Sequence, residues 1–138
     1  MKPVSLACLL FILGSEISLF GQKPEPPTNQ PPSMDYTFSI KSSPAWTDTG
    51  LDLNAGDRVH IYGPITTCEG PELNQKAHLI VSSAPAGALL AKLHLEADAI
   101  PASPDADVPV INPSRLYLAV NGLNCHGRVP VKVQVERR

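Results

Sequence analysis

The side chains with the most reactive chemistry in this chain are its cysteines and histidines. Cys125 has His126 as its sequence neighbour, but adjacent strand residues point to opposite faces of a sheet. A cysteine–histidine pair would therefore require the fold to bring His60, His78 or His94 to Cys125. The spacings G-x-S-x-G, H-E-x-x-H and C-x-x-C, which are typical of hydrolases and zinc sites, do not occur. We therefore predict that the protein is not an enzyme.

Three aspartates lie close together in the sequence. Asp98, Asp105 and Asp107 fall in a stretch rich in proline and aspartate, residues 97–108, which we predict to be a loop. Glycoside hydrolysis needs two carboxyl groups held about 5–10 Å apart across a cleft, and a flexible loop does not hold that geometry. Calcium takes several oxygen ligands, but the spacing here does not fit an EF-hand. Solvated loop acids are the interpretation that we prefer.

The first 21 residues have the pattern of a signal peptide. Lys2 supplies a positive start, residues 4–14 are apolar apart from Ser5, and Gly21 is a small residue before a cleavage point. The alternative is an uncleaved anchor, although the apolar run is short for a bilayer. We predict cleavage near Gly21 and a secreted or periplasmic protein.

Two cysteines, Cys68 and Cys125, remain after that cleavage. An even pair in an exported protein favours a disulfide bond. Two buried free thiols are the alternative.

The remaining composition argues against nucleic acid and against a membrane surface as partners. The formal net charge is −2, and the basic residues form no cluster apart from a short tail, Arg137 and Arg138. Residues 22–34 contain five prolines, which fix φ and remove backbone donors. We predict an extended proline-rich linker at 22–34.

Alternation of apolar and polar residues predicts short β-strands in the rest of the chain. The clearest run has strands at 50–54 and 58–62 around the turn Asn54-Ala55-Gly56-Asp57, in which side chains bond the local backbone. Further strands are predicted at 36–41, 88–93, 116–120 and 129–135, with a short apolar segment at 78–81 and at most an edge strand at 108–111. Fifteen prolines exclude long helices. The prediction is an all-β sandwich over residues 35–138.

Three blocks of the sequence resemble one known family. They are A-W-T-D-T-G-L-D-L-N-A-G-D-R-V-H-I-Y-G from Ala45, G-A-L-L-A-K-L from Gly87, and the segment Leu116–Val135, in which L-Y-L-A-V-N precedes a short loop and a valine strand. In this order they resemble the PA-IL (LecA-like) lectin domain, a calcium-dependent galactose-binding family. The resemblance implies a jelly-roll or galactose-binding-like β-sandwich over roughly residues 36–136.

The resemblance also implies where a calcium site would lie, at the loop Asn121–Gly127. Gly122 stands where the family has its ligand aspartate, and Cys125 stands where it has the second of two paired asparagines. Calcium affinity depends on ligand charge and number, so we expect no cofactor and no calcium site. Cys68 aligns near a position that gives the metal a backbone oxygen. We therefore expect a Cys68–Cys125 disulfide to join the two loops in place of the ion.

The rim of this expected site offers polar and aromatic side chains. The candidate ligand-binding residues are Tyr62, Glu69, Asn121, Asn124 and His126. Amides and a carboxylate can bind sugar hydroxyls, and an aromatic ring can stack on a sugar. The alternative is that these residues only shape the turn, since Asn-Gly is a favoured turn pair.

The function that this resemblance favours is calcium-independent carbohydrate binding by a secreted, lectin-like module. The alternative is a structural or protein-interaction β-sandwich whose sugar site has decayed. An exposed sheet edge would also permit a homo-oligomer.

Overall fold

A computed structural model describes residues 32–71 and 76–138, and the strands in these ranges form two antiparallel sheets. The order in sheet A is β1-β8-β3-β6, and in sheet B it is β2-β7-β4-β5. The strands are β1 Ser33–Lys41, β2 Thr47–Leu53, β3 Arg58–Tyr62, β4 Leu89–Lys92, β5 Ile100–Pro101, β6 Asp105–Pro109, β7 Ser114–Val120 and β8 Arg128–Glu136. The prediction of an all-β sandwich is confirmed.

The core lies between the sheets and is built from alternate residues of each strand. Along β8 the four valines at 129, 131, 133 and 135 are buried, while Lys132 between them is exposed. From the opposite sheet, β7 contributes Leu116, Leu118 and Val120 to the same cluster. Each fully buried valine or leucine adds about 1.5–3 kcal/mol of transfer free energy. The period-two pattern thus sets which face of each strand is buried.

The turn between β2 and β3 forms as predicted and closes the end of the sandwich at which β8 ends. The carboxylate of Asp57 is buried and accepts the backbone N–H of Asn54 at 2.8 Å. The Arg137 guanidinium, 80 residues away, donates to the same carboxylate. Arg137 is therefore part of the fold rather than a free tail, because it compensates a buried charge.

Some boundaries differ from the sequence prediction. The stretch 97–108 is not one loop, since it contains β5 and most of β6. The short apolar segment at 78–81 forms turns and bends. Strand β1 begins at Ser33, inside the predicted linker, because Ser33 pairs with Glu136. Pro109 does end an edge strand, as its missing donor requires.

The outer face of sheet B is also covered. Leu90 and Ala119 pair across β4 and β7 outside the main core cluster, yet they are 0% and 1% exposed. On this side, the Nζ of Lys92 lies 4.1 Å from the centroid of the Trp46 ring and donates to the carbonyl of Leu95 at 2.8 Å. A second layer of chain therefore shields this sheet from water.

The predicted signal peptide and most of the predicted linker lie outside the described residues. Within 32–71 and 76–138, the structure contains no helix of the length and apolarity that a membrane span requires.

Candidate functional site

Two connections between the sheets meet at one end of the sandwich. The β3–β4 connection carries Cys68, and the β7–β8 connection carries Cys125. The two residues form a disulfide bond across a sequence separation of 57, with their Cα atoms 3.8 Å apart. The predicted disulfide is confirmed. We call residues 66–69 and 121–127 the tip.

Backbone hydrogen bonds reinforce the cross-link. Cys68 and Cys125 form an isolated antiparallel bridge. The N–H of Glu69 donates to the carbonyl of Asn124 at 3.0 Å, and the N–H of His126 donates to the carbonyl of Thr67 at 3.3 Å. Asn124 has a φ of 56°, which asparagine tolerates better than most residues. The two loops are therefore held to each other by both covalent and backbone contacts.

Asn121 is fully buried, and its amide is used inside the protein. Its Oδ1 accepts the N–H groups of Ile80 and Val81 at 2.8 and 3.1 Å. Its Nδ2 donates to the carbonyls of Val81, Ala84 and Pro85 at 3.0–3.3 Å. Asn121 therefore clamps residues 80–85 onto the outer side of sheet B. The prediction that Asn121 contacts a soluble ligand is wrong, because none of its polar atoms reaches solvent.

Gly87 lies directly beneath the cross-link. Its N–H donates to the carbonyl of Asn121 at 2.7 Å, and its carbonyl accepts the N–H of Thr66 at 2.9 Å. A Cβ at this position would lie 1.8 Å from the Thr66 oxygen and 3.3 Å from the Cys68 Sγ, and φ is 89°. Only glycine fits at position 87, and its two backbone hydrogen bonds join the Thr66 loop to the Asn121 loop.

The polar side chains of Glu69, Asn124 and His126 are exposed at the surface of the tip, as is that of Thr67. The Nε2 of His126 lies 3.2 Å from the Oε2 of Glu69, and these side chains are 63% and 75% exposed. Asn124 is exposed on the same loop as His126. An ion pair this exposed contributes little to stability, since water competes for both partners. The carboxylate, amide and imidazole can therefore exchange their contacts for those of a ligand.

Tyr62 does not lie at the tip. It pairs with Lys132 and Asp105 on the outer face of sheet A, beside a depression of about 370 Å³. Lys132 is four residues along β8 from Arg128, so about 13 Å of strand separates Tyr62 from the start of the tip loop. The prediction that Tyr62 joins the other candidates is wrong, and the tip contains no tyrosine or tryptophan of its own.

The structure also places the residues considered for catalysis or metal binding. Cys125 has no free thiol for a pair with histidine, because its sulfur is bonded to Cys68. Asp107 lies on β6 and faces Arg58 and His60 at 3.6 Å. Among the described residues, no three His, Cys, Asp or Glu side chains form a group that could hold a metal ion.

Comparison of the whole chain with models of protein families, with curated proteins and with solved structures finds no match.

Proposed function

We propose that this protein is a secreted or periplasmic carbohydrate-binding module without enzymatic activity, and that its tip binds the sugar. The observation that carries the proposal is the disulfide-anchored meeting of two loops, which groups Glu69, Asn124 and His126 on one surface. Loops fixed before binding lose less conformational entropy when a ligand is bound. A rigid polar patch of this kind suits the hydroxyl groups of a saccharide.

The chemistry of the three side chains supports a sugar over an ionic ligand. A carboxylate accepts hydrogen bonds, and an amide both donates and accepts them. A neutral imidazole donates at one nitrogen and accepts at the other. A sugar hydroxyl likewise donates one hydrogen bond and accepts others. The tip has one carboxylate, Glu69, and no lysine or arginine, so it offers neither a cationic group for an anion nor the several anionic ligands that a metal cation favours.

The donor set supports calcium-independence. Of the side chains that the PA-IL resemblance assigns to the metal, Asn121 is committed to residues 80–85 and Cys125 to the disulfide, while Gly122 has no side chain. Asn124 is left as a single neutral oxygen ligand, and calcium takes six to eight oxygens. We propose that the chain is a divergent relative of that family in which the Cys68–Cys125 disulfide takes the place of the calcium ion.

Export is supported by two independent features. The first 21 residues have the pattern of a signal peptide, and the disulfide is a bond that persists in oxidising compartments.

A glycan array read with calcium and again with a chelator tests the proposal. We expect the same glycans to bind in both conditions, and backbone amide shifts of Glu69, Asn124 and His126 to move on titration with the best one. His126→Ala should weaken that titration by about tenfold, the size expected from losing one hydrogen bond to a charged or strongly polar partner.

Two results would contradict the proposal in different ways. Loss of binding in the chelator would overturn calcium-independence alone. Absence of binding to any glycan would favour a structural or protein-interaction module, the alternative with which the internal use of Asn121 agrees.

A further inference from the structure

A groove of about 660 Å³ lies at the end of sheet B opposite the tip. Its lining includes Leu53, Leu93, Arg115 and Tyr117. Strand β7 runs from this groove to the tip, and the seven residue-to-residue steps from Ser114 to Asn121 span about 23 Å. The groove is therefore spatially separate from Glu69, Asn124 and His126.

Arg115 is held in one orientation at the groove. Its Nε donates to the Oδ1 of Asp48 at 2.7 Å, and its Nη1 lies 3.7 Å from the Oδ1 of Asp52. Its backbone N–H donates to the carbonyl of Leu93 at 3.0 Å. The N–H of Gly50 and, second, the Arg115 guanidinium hold the pKa of the Asp48 carboxyl below its ordinary value. A donor fixed in this way needs little reorganisation to meet a ligand.

His94 is oriented by a chain of hydrogen bonds. The hydroxyl of Ser114 donates its one proton to the carbonyl of Asn112, so it accepts from the Nε2 of His94 at 3.3 Å. In the neutral imidazole this leaves Nδ1 as an acceptor. The groove thus combines a fixed donor, Arg115, with an imidazole acceptor and the carboxylates of Asp52 and Glu96.

Apolar surface lies beside these polar groups. The Tyr117 ring is half-buried, and Leu95 is 63% exposed. This combination of a ring, aliphatic carbon and convergent hydrogen-bonding groups matches a sugar ring, which has C–H faces and hydroxyl edges. The carboxylates of Asp48, Asp52 and Glu96 outnumber the single Arg115 guanidinium, and this disfavours an anionic ligand.

We propose that this groove is a second saccharide-binding site, selective for neutral sugars, and that the sandwich therefore has a site at each end. The carboxylates and the His94 Nδ1 accept sugar hydroxyls, Arg115 donates to a sugar oxygen, and Tyr117 with Leu95 contacts the C–H face. This site goes beyond the tip and is tested separately from it.

The test is a titration of ¹⁵N-labelled protein, followed by backbone amide shifts, with methyl glycosides of galactose, glucose, mannose and N-acetylglucosamine up to about 50 mM, the range for millimolar affinity. Galacturonic acid is the charged counterpart of galactose. Glu96→Gln removes an exposed carboxylate at the groove, and Glu69→Gln is the matched change at the tip. A sugar that binds the groove should shift the amides of His94, Glu96 and Arg115, and Glu96→Gln should weaken this by about tenfold.

Each outcome separates the two sites. Groove shifts that Glu96→Gln weakens and Glu69→Gln leaves unchanged support the second site, whatever happens at the tip. Shifts confined to the tip overturn the second site and leave the tip proposal standing. Groove shifts with galacturonic acid alone overturn the selectivity for neutral sugars. The absence of groove shifts with every sugar overturns the second site and leaves the tip to be decided by the glycan array.

Discussion

Replacing Asn121 by alanine should remove a large part of the stability of the domain. The side chain makes five hydrogen-bond contacts, which its two lone-pair acceptor positions and two amide protons supply as about four bonds. At about 0.5–1.5 kcal/mol net for each bond, the loss is about 2–6 kcal/mol. A domain of this size has about 5–15 kcal/mol of stability in total.

Urea unfolding measures the effect directly. With an m-value of about 2 kcal/mol/M, a loss of about 4 kcal/mol lowers the midpoint by about 2 M. Hydrogen exchange adds a local readout, because the amides of Ile80 and Val81 lose the acceptor that protects them. Exchange at these two amides should accelerate even under conditions in which the variant stays folded.

Asn124→Gly provides the matched control on the same loop. Asn124 is exposed and has a positive φ that glycine adopts readily. The free energy of unfolding should therefore change by no more than about 1 kcal/mol. The reasoning fails if Asn121→Ala unfolds within about 1 kcal/mol of the wild type with unchanged exchange at Ile80 and Val81.

Three further changes probe the same structure. Replacing Cys68 and Cys125 together by alanine should lower the free energy of unfolding by about 4 kcal/mol, the loop-closure entropy for a sequence separation of 57. Reductant should then have no further effect on the urea midpoint of this variant. A loss under about 1 kcal/mol would contradict the estimate. Gly87→Ala should prevent folding or lower the melting temperature by more than about 10 °C, the effect of a loss above about 2 kcal/mol. Gly127→Ala is the control: a Cβ there meets nothing within 4 Å, so it should cost only about 1–2 kcal/mol for its positive φ. Equal effects of the two changes would refute the steric argument. Because the pKa of Asp48 is lowered in the folded state, the stability that its carboxylate contributes is present at neutral pH and is lost below about pH 4. The urea midpoint of Asp48→Asn should therefore fall less between about pH 7 and pH 3 than that of the wild type. An identical fall in both proteins would refute the assignment.

The sequence was sufficient to predict the strands in which apolar and polar residues alternate regularly. Strands β3, β7 and β8 show alternation that places every second residue in the core, and the structure buries those residues. The disulfide was predictable because cleavage of the predicted signal peptide would leave a single possible pair of cysteines. Strand β6 carries the same alternation, with Ala106 and Val108 each preceded by an aspartate, but the surrounding prolines suggested a loop.

The candidate site was less predictable because its contacts are distant in the sequence. The amide of Asn121 hydrogen-bonds to residues 80–85, which lie 36 to 41 positions earlier in the chain. Nothing in the sequence around Asn121 indicates these contacts. Arg115 and Tyr117 were missed at the groove for the same reason, since loop residues 93–96 supply its other wall. In both cases a local motif identified the residue type, and only the tertiary fold determined its neighbours.

The pairing of β1 with β8 has a practical consequence for how this protein is studied. Ser33 lies opposite Glu136, so the chain enters and leaves the sandwich at the end farthest from the disulfide. Immobilisation on a sensor surface through the carboxyl terminus would therefore project the cross-linked end into the flow and turn the Arg115 end toward the support. Affinities measured in that orientation report mainly on one pole of the molecule, and measurements in free solution are needed to sample both.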